Sequence, residues 1–279
     1  MNKTLLQYYC GHCNNVLKEL DSEISLNRSM EPCPFCGTLL SDSLQQRKMQ
    51  RKTQPPSIVF QKASDMPKLT FDIEQIDSVL HFLTLNQKIC IAGIHTQKII
   101  ERLCVRAQLP CRYGGLDSKV LLIDGANSSD LYQCVDFAQQ YGLDAKRILS
   151  GIISCRAFTV YQLANLIVND LQKTIKQFDT KIVIITHLLN FFTNDPYLNS
   201  QEMEQILRTV VKSLKSIQNC LVVVSLGLPT QFDGMLLQLF SRTIKIKQNY
   251  HSLSVHLSDI GKNQSILLDE DTLEIIPSH

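Results

Sequence analysis

Five short runs of nearly unbroken apolar residues fall between residues 88 and 228: KICIAGI, KVLLIDG, GIISCRAF, KIVIIT and CLVVVSLGL. A strand with one wet face alternates apolar and polar side chains; a strand buried on both faces does not need to. Between these runs the apolar residues recur at helical spacing. QKIIERLCVRAQLP reads as an amphipathic helix stopped by Pro110, and SDLYQCVDFAQQYGL as one with Ser128 or Ser129 for its N-cap and Gly142 at its end. TVYQLANLIVNDLQKTIKQF gathers Val160, Leu163, Ile167 and Leu171 on one face, and SQEMEQILRTVVKSLKSI gathers Met203, Leu207, Val210 and Leu214. Parallel strands need such crossovers, and the helices then cover both faces of the sheet. FDIEQIDSVLHFL places one more helix at the front. TIKIKQ, HSLSVHLSD and QSILLDEDTLEII alternate with period two and extend one edge as closing antiparallel strands. The expected fold over residues 71–279 is α/β, with a mostly parallel sheet and antiparallel edge strands.

Ahead of this domain the pattern is different. Cys10 and Cys13 form one C-x2-C pair, nineteen residues intervene, and Cys33 and Cys36 form a second. That spacing reads as a tetrathiolate zinc site. Zn2+ takes four tetrahedral ligands, and two residues between cysteines let one tight turn aim both sulfurs at a single ion. Gly37 and Asn14 suit the left-handed backbone of such knuckles. Four thiolates close the shell, so the expected Zn2+ is structural, and His12 faces solvent. A small zinc ribbon over residues 1–40 has almost no apolar core, and metal binding would supply its folding free energy, on the order of 10–16 kcal/mol. The plainer alternatives are reduced cysteines on an unstructured leader, or a redox C-x2-C; the second lacks its βαβ setting. The other six cysteines, Cys90, Cys104, Cys111, Cys134, Cys155 and Cys220, show no ligand spacing and read as small core residues.

Residues 41–70 read as a basic linker: a short helix or tail, then an extended stretch after Pro55 and Pro56. Arg47, Lys48, Arg51 and Lys52 are the best candidates for a nucleic-acid contact. No aromatic residue is interleaved with them for stacking, and a solvated face explains them equally simply. The net charge of +2 indicates no class of partner. No apolar run reaches the roughly 18 residues that span a bilayer, so no membrane partner is expected. The first residues, MNKTLLQYYC, lack the apolar stretch of a secretory signal, which points to a cytoplasmic setting with reduced thiols.

Two stretches are more specific. LCVRAQLPCRYGGLDSKVLLIDGAN over residues 103–127 and YGLDAKRILSGIISCRAFTVYQ over residues 141–162 resemble the core of RecA/RadA-type recombinases, above all the archaeal RadA branch. Residues 77–80, DSVL, resemble the opening of that core, and the likeness covers roughly three quarters of the chain. The resemblance implies a RecA-like fold and a place to look for ATP chemistry. Such a site needs a glycine-rich loop around the phosphates, a Lys and a Ser/Thr in it, an Asp for Mg2+ and a Glu for the attacking water. Here the loop is AGIHTQKII, and no register over His95, Thr96, Gln97 or Lys98 restores the motif; Gly93 alone remains. Ala126 falls where the Glu would stand, Thr186 where the metal Asp would, and Leu226-Gly227 where the family has Asn-Gln. Asp124 survives, with a role as a plain strand-end carboxylate equally open.

From these departures no nucleotide is expected, no enzyme activity is expected, and Zn2+ is the only expected cofactor. The chain reads as an ATPase-inactive accessory protein that binds a RecA/RadA-type recombinase, another RecA-fold protein or DNA, in recombination or repair. The alternative is a non-catalytic RecA-fold subunit of another complex, an RNA-modification or regulatory assembly. A third reading, an active NTPase with an unusual loop, has only Lys98 to offer as its cation. In RadA-type proteins an F-x-x-A in the linker resembles a plug for the next subunit, which here falls on Phe60 and Ala63 after the strand-favouring Ser57-Ile58-Val59. Phe60 folded back onto its own domain is the alternative.

Overall fold

A computed structural model describes strands 4–10, 16–20 and 44–50, residues 12, 32, 33, 36, 38 and 39, and residues 66–194, 199–249, 252–259 and 262–273. The chain divides into two compact units, Met1–Gln61 and Lys62–His279.

In the first unit, β1 (Thr4–Cys10) is the middle strand of an antiparallel sheet, between β2 (Val16–Leu20) and β3 (Leu44–Gln50). The β1–β3 register runs unbroken from Thr4 opposite Gln50 to Cys10 opposite Leu44. The β1–β2 register slips between Tyr8 and Tyr9. The linker boundary at residue 41 is therefore corrected: residues 44–50 belong to this sheet. LQQRKMQ carries little intrinsic strand preference. Its pairing is with the Leu- and Tyr-rich β1, a partner distant in sequence. Arg47 and Lys48 thus lie on β3, an edge strand of this sheet among the described residues. Arg51, Lys52, Phe60, Ala63 and Cys13 lie outside the described residues.

In the second unit, eight strands form one sheet in the order β13-β12-β11-β6-β10-β9-β7-β8. These are β6 (Lys88–Gly93), β7 (Val120–Asp124), β8 (Ile152–Arg156), β9 (Ile182–Thr186), β10 (Leu221–Leu226), β11 (Arg242–Gln248), β12 (Leu253–Asp259) and β13 (Lys262–Leu268). All five apolar runs became parallel strands. The three closing strands extend one edge as expected, except that β11 joins β6 in parallel and only β12 and β13 are antiparallel. A short pair, β4 (Lys68–Leu69) and β5 (Leu83–Thr84), brackets the first helix.

The side chains of the central strands alternate between two separate cores, which explains why these strands are apolar throughout. Ile89, Ile91, Leu122, Ile184 and Val223 enter one core. Against it pack α1 (Glu74–Leu80), α2 (Thr96–Arg106), α3 (Leu131–Gln140) and α4 (Ala145–Ser150), through Ile76, Ile100, Leu103, Phe137 and Ile148. Cys90, Leu121, Ile123, Val183, Ile185 and Val224 enter the other. Over that face lie α5 (Val160–Asn165), a π turn (Leu166–Asp170), α6 (Leu171–Phe178), α7 (Asn190–Asn194), α8 (Ser200–Ser216) and α9 (Asp233–Leu237). The π turn interrupts what reads in sequence as one helix while keeping Leu163, Ile167 and Leu171 buried. No helix among the described residues is long and apolar enough to cross a membrane. Of the six scattered cysteines, Cys90, Cys104, Cys134 and Cys220 are buried as expected, but Cys111 is exposed and Cys155 half-buried.

Candidate functional site

In an open α/β sheet, ligands bind in the crevice beyond the C-terminal ends of the strands. The residues that could do chemistry there sit at the ends of β6, β7, β9 and β10. β6 ends at Gly93 and α2 begins at Thr96, so Ile94 and His95 alone form the connection. Gly93 has φ +103°, and a Cβ there would lie 2.0 Å from the Ile246 carbonyl oxygen. The Ile94 amide donates to that same oxygen at 3.2 Å, which ties the connection to β11. His95 takes the left-handed conformation and makes no side-chain cap, and Thr96 is buried.

Asp124 ends β7 and is fully buried. Its carboxylate accepts the amides of Ser129 at 2.9 Å, Ala126 at 3.2 Å and Ser128 at 3.2 Å, and the Thr186 hydroxyl at 3.1 Å. Arg156 lies 3.7 Å away. Burial pushes the Asp124 carboxyl up, but the amides of Ser129, Ala126 and Ser128 outweigh it and hold the group below the ordinary aspartate range. These bonds also place the N-cap of α3. The Ser128 and Ser129 amides are held by Asp124, so the cap is Asp130, which accepts from Tyr132, and not either serine.

Thr186 ends β9 and is likewise buried. Its hydroxyl donates to Asp124 and accepts the Gly125 amide at 3.2 Å, and the Thr186 carbonyl accepts that amide too. A Cβ on residue 125 would meet the Thr186 oxygen at 2.4 Å, so only glycine lets β7 and β9 close this way. Next to it, the His187 amide donates to the Ser225 hydroxyl of β10 at 2.9 Å. Burial holds the His187 imidazole below the ordinary histidine value, against the pull of the Asp124 charge. His187 borders a groove of about 660 Å³ between the segments after β9 and β10, with Phe192, Met203, Thr230 and Phe232 among its walls.

The cysteine segment gives a second candidate. The sulfurs of Cys10, Cys33 and Cys36 all lie within 4.8 Å of one another, and those of Cys10 and Cys36 are 3.7 Å apart. Thiolates around one Zn2+, each at about 2.3 Å in a tetrahedron, sit about 3.8 Å from each other. The donor set therefore fits a zinc ion. Cys10 closes β1 opposite Leu44, and the Cys33 amide donates to the Thr38 carbonyl at 2.8 Å, closing the second knuckle. His12 is exposed.

Comparison with known proteins bears on the α/β unit. Residues 91–227, which run from β6 through the end of β10, match the Rad51 family model. This stretch of the chain is similar to the Rad51 family, and its α/β architecture is that of a RecA-like core. The DNA repair and recombination protein RadA of Metallosphaera sedula is 26% identical over 189 residues, covering 62% of this chain and 57% of the relative. The meiotic recombination protein DMC1 homolog A of Oryza sativa subsp. japonica is 30% identical over 98 residues, covering 35% and 28%. The DMC1 homolog of Lilium longiflorum is 36% identical over 70 residues, covering 25% and 20%. The chain thus spans little more than half the length of the RadA relative and less of the others.

Within this RecA-like core, three charged residues of α2 escape a reading by periodicity. Glu101, Arg102 and Arg106 are buried because α2 is covered on nearly every side, by the sheet, by α3 and by the segment before α1. Arg106 donates to the Thr70 carbonyl and hydroxyl and the Tyr113 carbonyl, and sits 3.5 Å from Asp72. Arg102 donates to the Asp72 carbonyl and stacks over Phe137. Both arginines hold structure. Charged letters in a helix normally mark its wet face, and nothing in the sequence reports that this helix has none.

Proposed function

We propose that this chain is an ATPase-inactive Rad51/RecA-family accessory protein that works in recombination or repair by binding a recombinase or nucleic acid. The carrying observation is the Ile94-His95 connection between β6 and α2. A phosphate-binding loop wraps its ligand in successive backbone N–H groups and adds a Lys. Two residues, one with its amide given to β11, do not form such a wrap. Asp124 and Thr186 support the same reading, since each spends its oxygens on the other and on nearby amides. The names of the RadA and DMC1 relatives, which speak of DNA repair and of recombination, support the biological setting.

In this reading the first unit is a zinc ribbon held by Cys10, Cys13, Cys33 and Cys36. A closed four-thiolate shell offers no position for water, so the metal supplies folding free energy and no reaction. Contact with a recombinase is assigned to Phe60 and Ala63 by strand addition with a buried aromatic anchor. Contact with nucleic acid is assigned to Arg47, Lys48, Arg51 and Lys52.

Co-purification of wild-type chain with the native cell's recombinase tests the accessory role, with Phe60→Ala as the partner-binding control. Truncating an anchor aromatic costs at least about 2 kcal/mol, so recovery should drop roughly thirtyfold. Equal recovery of recombinase by both forms removes the assignment of Phe60. Recovery with neither form, in an extract where the recombinase is abundant, removes the recombinase as the partner.

A further inference from the structure

Glu101 lies at the seam between α2 and α3, and the function proposed above makes no use of it. It is only 2% exposed. Its Oε1 accepts from the Gln97 side-chain amide at 2.7 Å and from the Asp130 backbone amide at 3.2 Å. Asp130 is the N-cap of α3, so this carboxyl joins one helix to the first turn of the other. Its Oε2 is buried and makes no hydrogen bond to any described residue, and the same holds for Gln97 Oε1. Gln97 and the Ser129–Asp130 peptide both flank the carboxyl. Glu101 Oε2 and Gln97 Oε1 are thus both buried acceptors without a donor, and a proton on the carboxyl adds one.

We propose that Glu101 is a proton-operated latch between α2 and the segment 125–130, closed when its carboxyl is protonated and loosened when it ionises. The charged groups that face it agree. Asp130 on the α3 side opposes ionisation, Lys98 on its own helix favours it, and the buried thiols Cys104 and Cys134 lie beside this part of the helix. Burial, the largest influence, pushes the carboxyl up to about 7 against the bonds from Gln97 and Asp130. An acid raised in the folded state binds its proton more tightly folded than open. Closure is therefore strongest at low pH, weakens as pH climbs from the ordinary glutamate value to about 7, and is then level. The segment it holds is the one that Asp124 organises beyond β7, so the latch would set the order of this corner of the crevice near neutral pH.

Hydrogen exchange of the full chain reads the latch directly. After correction for intrinsic rates, amides of residues 125–133 in wild type should open about tenfold more readily at about pH 8 than at about pH 6, each unit of perturbed pKa being a factor of ten. Peptides from β9 and β10 should not change, and Glu101→Gln should remove the pH effect. No extra opening in wild type, or the same pH effect in the variant, overturns the proposal. If the variant does not fold, carboxyl 13C resonances of wild type decide: a glutamate titrating near 7 supports it, and all glutamates titrating at ordinary values overturn it.

Discussion

Cys33→Ser is expected to lower the zinc content of the purified chain from one ion to well under half an ion, and to unfold the β1–β3 sheet. The physical reason is the size of the first unit. Three strands of five to seven residues cannot bury much apolar surface, and a domain this small is normally held by metal or disulfides. Structural Zn2+ in comparable peptides supplies on the order of 10–16 kcal/mol at neutral pH. Serine offers a poorer ligand than thiolate at a site where Cys33 is buried and its sulfur lies within 4.8 Å of two others. Chelation of wild type should produce the same loss of strand signal, reversed by added Zn2+. Unchanged metal in the variant, or an intact sheet after chelation, would sink the ribbon assignment.

The second large effect is expected at Asp124. Asp124→Ala strips the partner from three backbone amides and the Thr186 hydroxyl at once. Each buried group left unpaired costs about 1–3 kcal/mol, so a loss of about 3–5 kcal/mol of stability is reasonable once the loop relaxes. Asp124→Asn keeps the shape and one acceptor, and should cost less. The sign with pH follows from the lowered carboxyl. Its contribution is fully present above the unfolded aspartate value and is lost as pH falls through the folded one. Wild type should therefore lose more stability than Asp124→Asn on acidification below about pH 4. Chemical denaturation at two pH values measures both effects. Wild-type stability in Asp124→Ala would contradict the structural role and return the residue to the list of chemical candidates.

The sheet was legible in sequence because its strands are buried on both faces. KIVIIT and LVVVSL are apolar save for Lys181, Thr186 and Ser225, and the helices between them keep apolar residues at helical spacing. The edge of the first unit was not legible. LQQRKMQ has no apolar period, and its strand state comes from a partner more than thirty residues away in sequence. The expected departures from an ATP-site pattern rest on the letters alone: His95 in the loop, Ala126 for the Glu and Thr186 for the metal Asp. What those letters could not report is how the remaining atoms are spent. That Asp124 holds three amides, that Asp130 and not Ser128 caps α3, and that Glu101 is buried all depend on a turn folding back on itself or on a helix covered on nearly every side.

Calorimetric titration of the full chain with Mg-ATP, paired with a phosphate-release assay on the same sample, tests most directly the proposal that this RecA-like core has no ATP chemistry of its own. The two-residue connection after β6 and the committed oxygens of Asp124 and Thr186 predict no heat of binding at physiological nucleotide concentration and no release above buffer. Micromolar affinity for Mg-ATP, or steady turnover, would contradict the account.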